Sequence, residues 1–399
     1  MALGSGEAAG RAWDAPRVAI AAIFLLDGLT FGLWVAHLPL IKGGLHLTDL
    51  AFASALAGMV GGAFVAQPLA GALATRAGSR RVTRVASVVA CLALGVPAFA
   101  PSLPLLIAST ALLGFTRGAT EVPMNAQATL LEARDARPRM SSFHGCFSLG
   151  GFLGSALAAL LLRHGDTPRV TLPAAGVACA VISAVVSRSL LRETPAALHT
   201  TAERAARPSL ATLARDRTLL ALGALAFCGL FGEGAMSDWS ALLLQRTTGV
   251  APAAAALGYA AFSIAMTLGR FSGDMVIARL GRGRTLRASG LVAAAGLTVA
   301  LVSPYVAAVL GFAAVGLGYA NLVPILFSAS GRRAGSAGIA AVSTLGYFGF
   351  VIGPPTIGGL STLLGSLPLA LGVVAAFALL IALGAGAANA PAAPAARAA

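Results

Sequence analysis

Apolar positions along this chain do not alternate with polar ones; they run on. Twelve runs of about 20 residues are separated by short polar stretches, and that is the length an α-helix needs to cross a hydrocarbon core of about 30 Å. They cover 18–39, 51–74, 82–100, 104–130, 142–163, 168–188, 218–244, 252–278, 286–303, 305–328, 336–361 and 363–386. Gly and Pro interrupt several of them, which membrane helices tolerate when neighbouring helices satisfy the freed backbone groups. The longest polar interruption, 189–217, follows the sixth run. It divides the chain into a tail (1–16), a six-helix bundle (17–188), a central loop (189–217), a second six-helix bundle (218–386) and a second tail (387–399).

Composition agrees. Hydrophobic residues make up 57% of the chain and charged residues 11%, against about 25% charged in soluble domains. The formal charge of +14 would ordinarily raise the question of nucleic acid, but the charges lie between apolar runs and form no continuous basic surface, so nucleic acid is excluded as a partner. Their distribution sets an orientation instead. With the N-terminus inside, 22 Arg fall on the inner side and only Lys42, Arg163, Arg169 and Arg246 on the outer side, with Arg117 and Arg270 within helices. Positive residues stay cytoplasmic, so both termini are expected in the cytoplasm. Basic residues that are nearly all Arg, in an Ala-rich chain, suggest a GC-rich bacterial genome and hence a bacterial cytoplasmic (inner) membrane. Trp34 and Trp239 are expected near the outer interface, where indoles are favoured.

The two halves repeat. The loop after the second run reads GALATRAGSRRVTR and that after the eighth reads DMVIARLGRGRTLR, so that Arg76, Gly78, Arg81 and Arg84 align with Arg279, Gly281, Arg284 and Arg287. ATEVP (from Ala119) in the fourth run matches ANLVP (from Ala320) in the tenth, and Gly150 and Gly154 match Gly349 and Gly353. Fragments in the same order at nearly constant offset indicate a duplicated six-span unit, a common plan in secondary transporters.

On these residues the chain resembles the major facilitator superfamily. The family's loop signature between spans 2 and 3 is matched by Gly71, Arg76, Gly78, Arg80 and Arg81 and departs at Thr75, where an Asp is usual; Ala278 takes that place in the second copy. Glu132 and Asp274 are candidates to supply the missing acid, and with the Arg and Gly positions they form the expected cytoplasmic gate. An acid in span 1 (Asp27), E-x3-N in span 4 (Glu121, Asn125) and the stretch from Met124 to Gly145 resemble the fucose-permease-like branch. The resemblance implies an all-α polytopic membrane fold of two pseudo-symmetric six-helix bundles. It also implies alternating access and proton-coupled symport, with Asp27 and Glu121 carrying protons.

Charge buried in spans is costly, about 2.5–3.5 kcal/mol at the centre, so each such group needs a partner or a task. Asp27 lies near mid-span, and burial disfavours its charged form, which suits proton pickup and release. Arg117, Glu121 and Asn125, at i, i+4 and i+8, share one stripe of a helix. Two readings of Arg117 and Glu121 stand: a working acid with a modulating cation, or a permanent neutral pair. His144 is a third proton-coupling candidate, although a packing histidine fits as well. Arg117, Asn125, Glu233, Asn321 and Trp34 are candidates for the substrate cavity. Asp238, about 140° around the helix from Glu233, reads as interfacial.

No phosphate loop, nucleotide fingerprint or nucleophile elbow is present, and the four cysteines have no ligand or disulfide spacing. A non-enzymatic protein without cofactor or metal is expected, working as a monomer in the lipid bilayer on a small-molecule substrate and protons. A proton-driven exporter of drugs or metabolites, an uncoupled facilitator and a non-transporting membrane solute sensor are the alternatives that the sequence leaves open.

Overall fold

The structure is a computed structural model that describes residues 14–135, 139–192 and 216–389, with the side chains of Thr75, Ala133, Ser141, Asp274, Gly335, Ser336, Ala337 and Ala340 left aside. Most of both terminal tails and of the central loop lies outside the described residues.

Each apolar run is helical. The first bundle comprises α1 (Ala15–Gly44), α2 (Asp49–Ala77), α3 (Ser79–Ala93), α4 (Leu103–Asp135), α5 (Met140–Arg163) and α6 (Pro168–Val186). The second comprises α7 (Arg217–Thr248), α8 (Pro252–Leu280), α9 (Arg282–Val302), α10 (Tyr305–Tyr319), α11 (Leu322–Leu364) and α12 (Leu367–Gly384). Twelve helical segments among the described residues are long and apolar enough to span a membrane. Helix starts are set by short polar side chains. Asp14 accepts from the Arg17 N–H (3.1 Å), Thr48 from the Ala51 N–H (3.2 Å), and Asp216 from those of Thr218 and Leu219 (2.8 and 3.3 Å). Such caps satisfy donors that a helix leaves open.

The tenth span departs from expectation. It breaks at Ala320 and Asn321, and its second half is continuous with the eleventh span in α11. The chain nevertheless reverses inside α11, because Gly338 meets the Ser330 carbonyl and Gly331 meets Ile339. Residues eight apart in a straight helix would be about 12 Å apart.

The duplicated loop is visible in backbone geometry. Gly78 alone separates α2 from α3, and Gly281 alone separates α8 from α9, with φ of +86° and +78°. An L side chain is strained there, and glycine is not. Both turns lie on the face that carries most of the arginines, called here the Arg-rich face.

Within the first bundle α1 packs on α5 and α2 on α4; within the second, α7 packs on α11 and α8 on α10. The bundles meet where α5 packs on α8 and α2 on α11. At the face opposite the Arg-rich one, α2 and α11 touch backbone to backbone: a Cβ on Gly358 would collide with Ala53 and the Asp49 carbonyl. Trp34 and Trp239 are buried in helix packing and present no indole to the surface. They are 2% and 0% exposed, and Trp239 packs edge-on against Phe52 of α2 (5.8 Å between ring centres). Each indole thus fills helix–helix contact, as a large aromatic does in a core.

Candidate functional site

Three clusters bring charged groups of different spans together, two at mid-depth and one at the face opposite the Arg-rich one; Asp238 of α7 belongs to none of them. The first cluster is built by α1, α2, α4 and α11. Arg117 of α4 reaches across to α1. One terminal nitrogen pairs with the Asp27 carboxylate at 3.1 Å, and the other donates to the Asp27 carbonyl (3.1 Å) and the Thr30 hydroxyl (3.4 Å). The guanidinium also stacks 4.8 Å over the Phe31 ring, a favourable cation–π placement. Glu121, one turn further along α4, is not its partner. Its carboxyl accepts from the Gln67 amide of α2 (2.9 Å) and from the Tyr347 hydroxyl of α11 (3.3 Å). The permanent Arg117–Glu121 pair is therefore corrected. A shared stripe brings two residues to one side of a helix, but the neighbouring helices divide them. Asn125 turns its amide back to the Glu121 carbonyl (2.8 Å), so in this conformation it braces its own helix.

The second cluster is centred on Arg270 of α8. It pairs with Glu233 of α7 at 3.3 Å and donates to the Ser148 hydroxyl (2.6 Å) and the His144 carbonyl (3.3 Å) of α5. One guanidinium thus ties the second bundle to the first. Nearby, Ser263 of α8 donates to the Ser148 carbonyl (2.9 Å). His144 offers its carbonyl to this cluster, while its ring packs edge-on against Phe24 (5.3 Å). Phe31 lies between the two clusters, 6.1 Å from the Tyr259 ring.

The third cluster was not apparent from sequence. Asp49, buried at the start of α2, is held by both terminal nitrogens of Arg246 of α7 (2.6 and 2.5 Å) and by Lys42 of α1 (3.1 Å). The Ser361 hydroxyl of α11 also donates to it. A bidentate Arg–carboxylate contact is among the stronger polar interactions available, and this one joins the two bundles. At the Arg-rich face the described ion pairs stay within one bundle: Arg134 with Asp14 and Asp135, Arg139 with Asp135, and Arg333 with Asp216. The Arg134 guanidinium beside it holds the Asp135 carboxyl below the usual range, and Arg333 does the same for Asp216.

Of the remaining sequence candidates, Asn321 sits at the break before α11, with its side chain against Gly273 of α8. Glu132 does not serve Arg76 or Arg80 among the described contacts. It accepts from the backbone N–H groups of Arg139 and Met140 (2.5 and 2.7 Å) and so caps α5. Arg80 donates to the Arg188 carbonyl (2.6 Å), and Arg76 is exposed. The Asp274 side chain lies outside what the structure describes. Gln67, Arg270 and Tyr347 join the site although sequence reading did not select them. For Arg270 the signal was there: a cation inside a span needs a partner as much as an acid does.

A sequence model of the Major Facilitator Superfamily matches residues 19–354. An uncharacterized MFS-type transporter of Yersinia pestis is 34% identical over 363 residues, covering 90% of this chain and 92% of that protein. Among solved structures, a D-xylose-proton symporter superposes with a TM-score of 0.71 at 16% identity, covering 93% of this chain and 97% of that one. The E. coli fucose:proton symporter gives 0.59 at 18%, covering 94% and 99%. Twelve spans in two bundles, charged groups at their interface and this match over nearly the whole length lead to one conclusion: the chain belongs to the Major Facilitator Superfamily and is a multi-pass membrane transporter.

Proposed function

We propose that this transporter is a proton-coupled symporter of a small polar metabolite, working as a monomer by alternating access, with Glu121 as the group that carries the coupling proton. One observation carries the reading. The two mid-depth clusters hold three acids (Asp27, Glu121, Glu233) but two arginines (Arg117, Arg270), and each arginine already has its acid. Glu121 is left with an amide and a phenol, one from each bundle. A carboxylate in a span without a counter-charge is costly, and a proton removes that cost. Because Tyr347 belongs to the moving partner bundle, rocking the bundles changes the environment of Glu121. Protonation and conformation are thereby linked.

Asp27 is a second proton site, whose protonation frees Arg117 for substrate or for Glu121. The Arg excess orients the Arg-rich face to the cytoplasm, in a bacterial inner membrane with both termini inside. The Asp49–Arg246 cluster then closes the outer side in this conformation. The matched fold of the xylose and fucose proton symporters supports a sugar-like solute class by analogy.

Proteoliposomes with an imposed pH gradient test the proposal across a panel of sugars, nucleosides, amino acids and hydrophobic cations. Wild-type protein is expected to accumulate one solute class, and Glu121→Gln to lose accumulation but keep solute exchange. Gradient-driven accumulation by Glu121→Gln at the wild-type level overturns the reading. Acid release on adding a cation would point to an exporter instead.

A further inference from the structure

Behind Asp27, away from the interface between the bundles, lies a small cavity of about 10 Å³ whose polar wall is Asp27, Thr30, Ser87, Cys91, Thr120 and Ser183, the rest being apolar. That is room for about one water, and its walls offer the several polar partners a buried water needs. The Ser183 hydroxyl of α6 donates to that of Ser87 of α3 at 2.7 Å. Asp27 engages Arg117 through one carboxylate oxygen, so the other is available to the cavity.

Ser87 also belongs to a longer feature. Ser79, Thr83, Ser87 and Cys91 recur every fourth residue along α3 and are 1%, 0%, 5% and 4% exposed. They make a polar stripe facing the interior of the first bundle. It starts at the Arg-rich face, where the buried Gln127 donates to the Ser79 hydroxyl at 2.8 Å and holds the chain at Leu191. The Thr83 hydroxyl, between Ser79 and Ser87, is buried and has no hydrogen-bond partner among the described residues. A buried hydroxyl without a partner costs about 1–3 kcal/mol, so its presence in an apolar bundle calls for one. Four residues of helix advance about 6 Å, and two hydrogen bonds through one water span nearly the same distance. The stripe therefore has the spacing of hydroxyls bridged by single waters.

We infer that α3 carries a proton route to Asp27 through the interior of the first bundle, from Ser79 through Thr83 and the Ser87–Ser183 pair to the cavity water. Each oxygen accepts a proton on one side and gives its own on the other. The net change is one O–H bond formed on Asp27 and one lost from water at the Arg-rich face. The ionisable groups facing Asp27 are Arg117 and Glu121 of α4 and Cys91 of α3, with Cys179 of α6 beside Cys91. His144 of α5, Glu233 of α7 and Arg270 of α8 belong to the second cluster. The route rests on the proton-coupled reading and deepens it: the chain conducts in either direction, and in symport it lets the proton on Asp27 leave for the Arg-rich, cytoplasmic face without crossing the space where solute binds.

The test needs no solute. Purified protein in lipid nanodiscs is acidified with a light-released proton, and infrared absorption of the protonated carboxyl is followed in time. The Asp27 band is identified by its loss in Asp27→Asn. Thr83→Val and Ser87→Ala are expected to slow its rise about a hundredfold, the low end of what a positioned proton-transfer group contributes, with an unchanged final amplitude. Thr83→Ser restores the rate, which separates the route from a packing defect. An Asp27 band rising at the wild-type rate in both variants overturns the route and leaves the proton reading intact. No Asp27 band at any pH in wild-type protein overturns Asp27 as a proton site and the route with it.

Discussion

Replacing Asp49 by Asn removes the anion that, among the described residues, holds Lys42 of α1, Arg246 of α7 and Ser361 of α11 at the face opposite the Arg-rich one. Hydrogen bonds to charged groups contribute about 1.5–3 kcal/mol, and fully exposed ion pairs about 0–1 kcal/mol. Asp49 is 8% exposed, but the Arg246 side chain is 37% exposed, which places the loss at about 2 kcal/mol. That is about a 30-fold change in an equilibrium. A face closed in a ratio of about 99 to 1 would become open in about a quarter of the molecules. The assay is electron–electron spin-label distance measurement with labels at Gly44→Cys in the first bundle and Thr247→Cys in the second, the native cysteines replaced by Ser. A longer-distance population is expected in Asp49→Asn and not in the control Asp166→Asn, in the α5–α6 turn of the same face. An unchanged distribution in Asp49→Asn, or the same change in the control, would refute the assignment of this cluster as the tie between the bundles.

Gly358→Leu places carbon where Ala53 and the Asp49 carbonyl already sit, so the same label pair should report widening. Arg270→Gln strands Glu233 and unties α5; the pair is partly buried, at 11% and 18% exposed, so its loss falls below the roughly 3–5 kcal/mol of a fully buried one. Melting in detergent should drop in the single variant and recover in Arg270→Gln with Glu233→Gln, and a single variant as stable as wild type would contradict the pairing. The Asp216 carboxyl is held below the usual range first by its hydrogen bond from Arg333 and then by the N–H groups it caps. A lowered folded-state value means that its stabilisation is present above the ordinary Asp value of about 3.9 and is lost as pH falls below it. Asp216→Asn should therefore melt below wild type at neutral pH, with the difference closing under acid.

The spans and the duplication were legible because each is a local pattern. Twenty apolar residues admit one solution in lipid, and the glycine of each Arg-rich loop takes the positive φ that lets one helix follow another without a linker. The break at Ala320 and Asn321 and the reversal near 331–339 were not legible. Helical hydrogen bonding passes through a stretch of small residues whose direction is set by neighbours. Charge partners were the least legible. Arg117 stands four residues from Glu121 yet binds Asp27, 90 positions away in sequence. Asp49 and Arg246 are 197 apart in sequence, and no local pattern marks them as a pair. Trp34 and Trp239 read as interfacial from their residue type, whereas helix packing buries both.

The most direct test counts protons. With the transported solute added to weakly buffered, purified protein, a pH-sensitive dye reports protons taken up per molecule bound. Uptake by wild-type protein that disappears in Glu121→Gln, with solute still bound, is the predicted result. The same uptake in Glu121→Gln would mean that the proton sits elsewhere and would contradict the account at its centre.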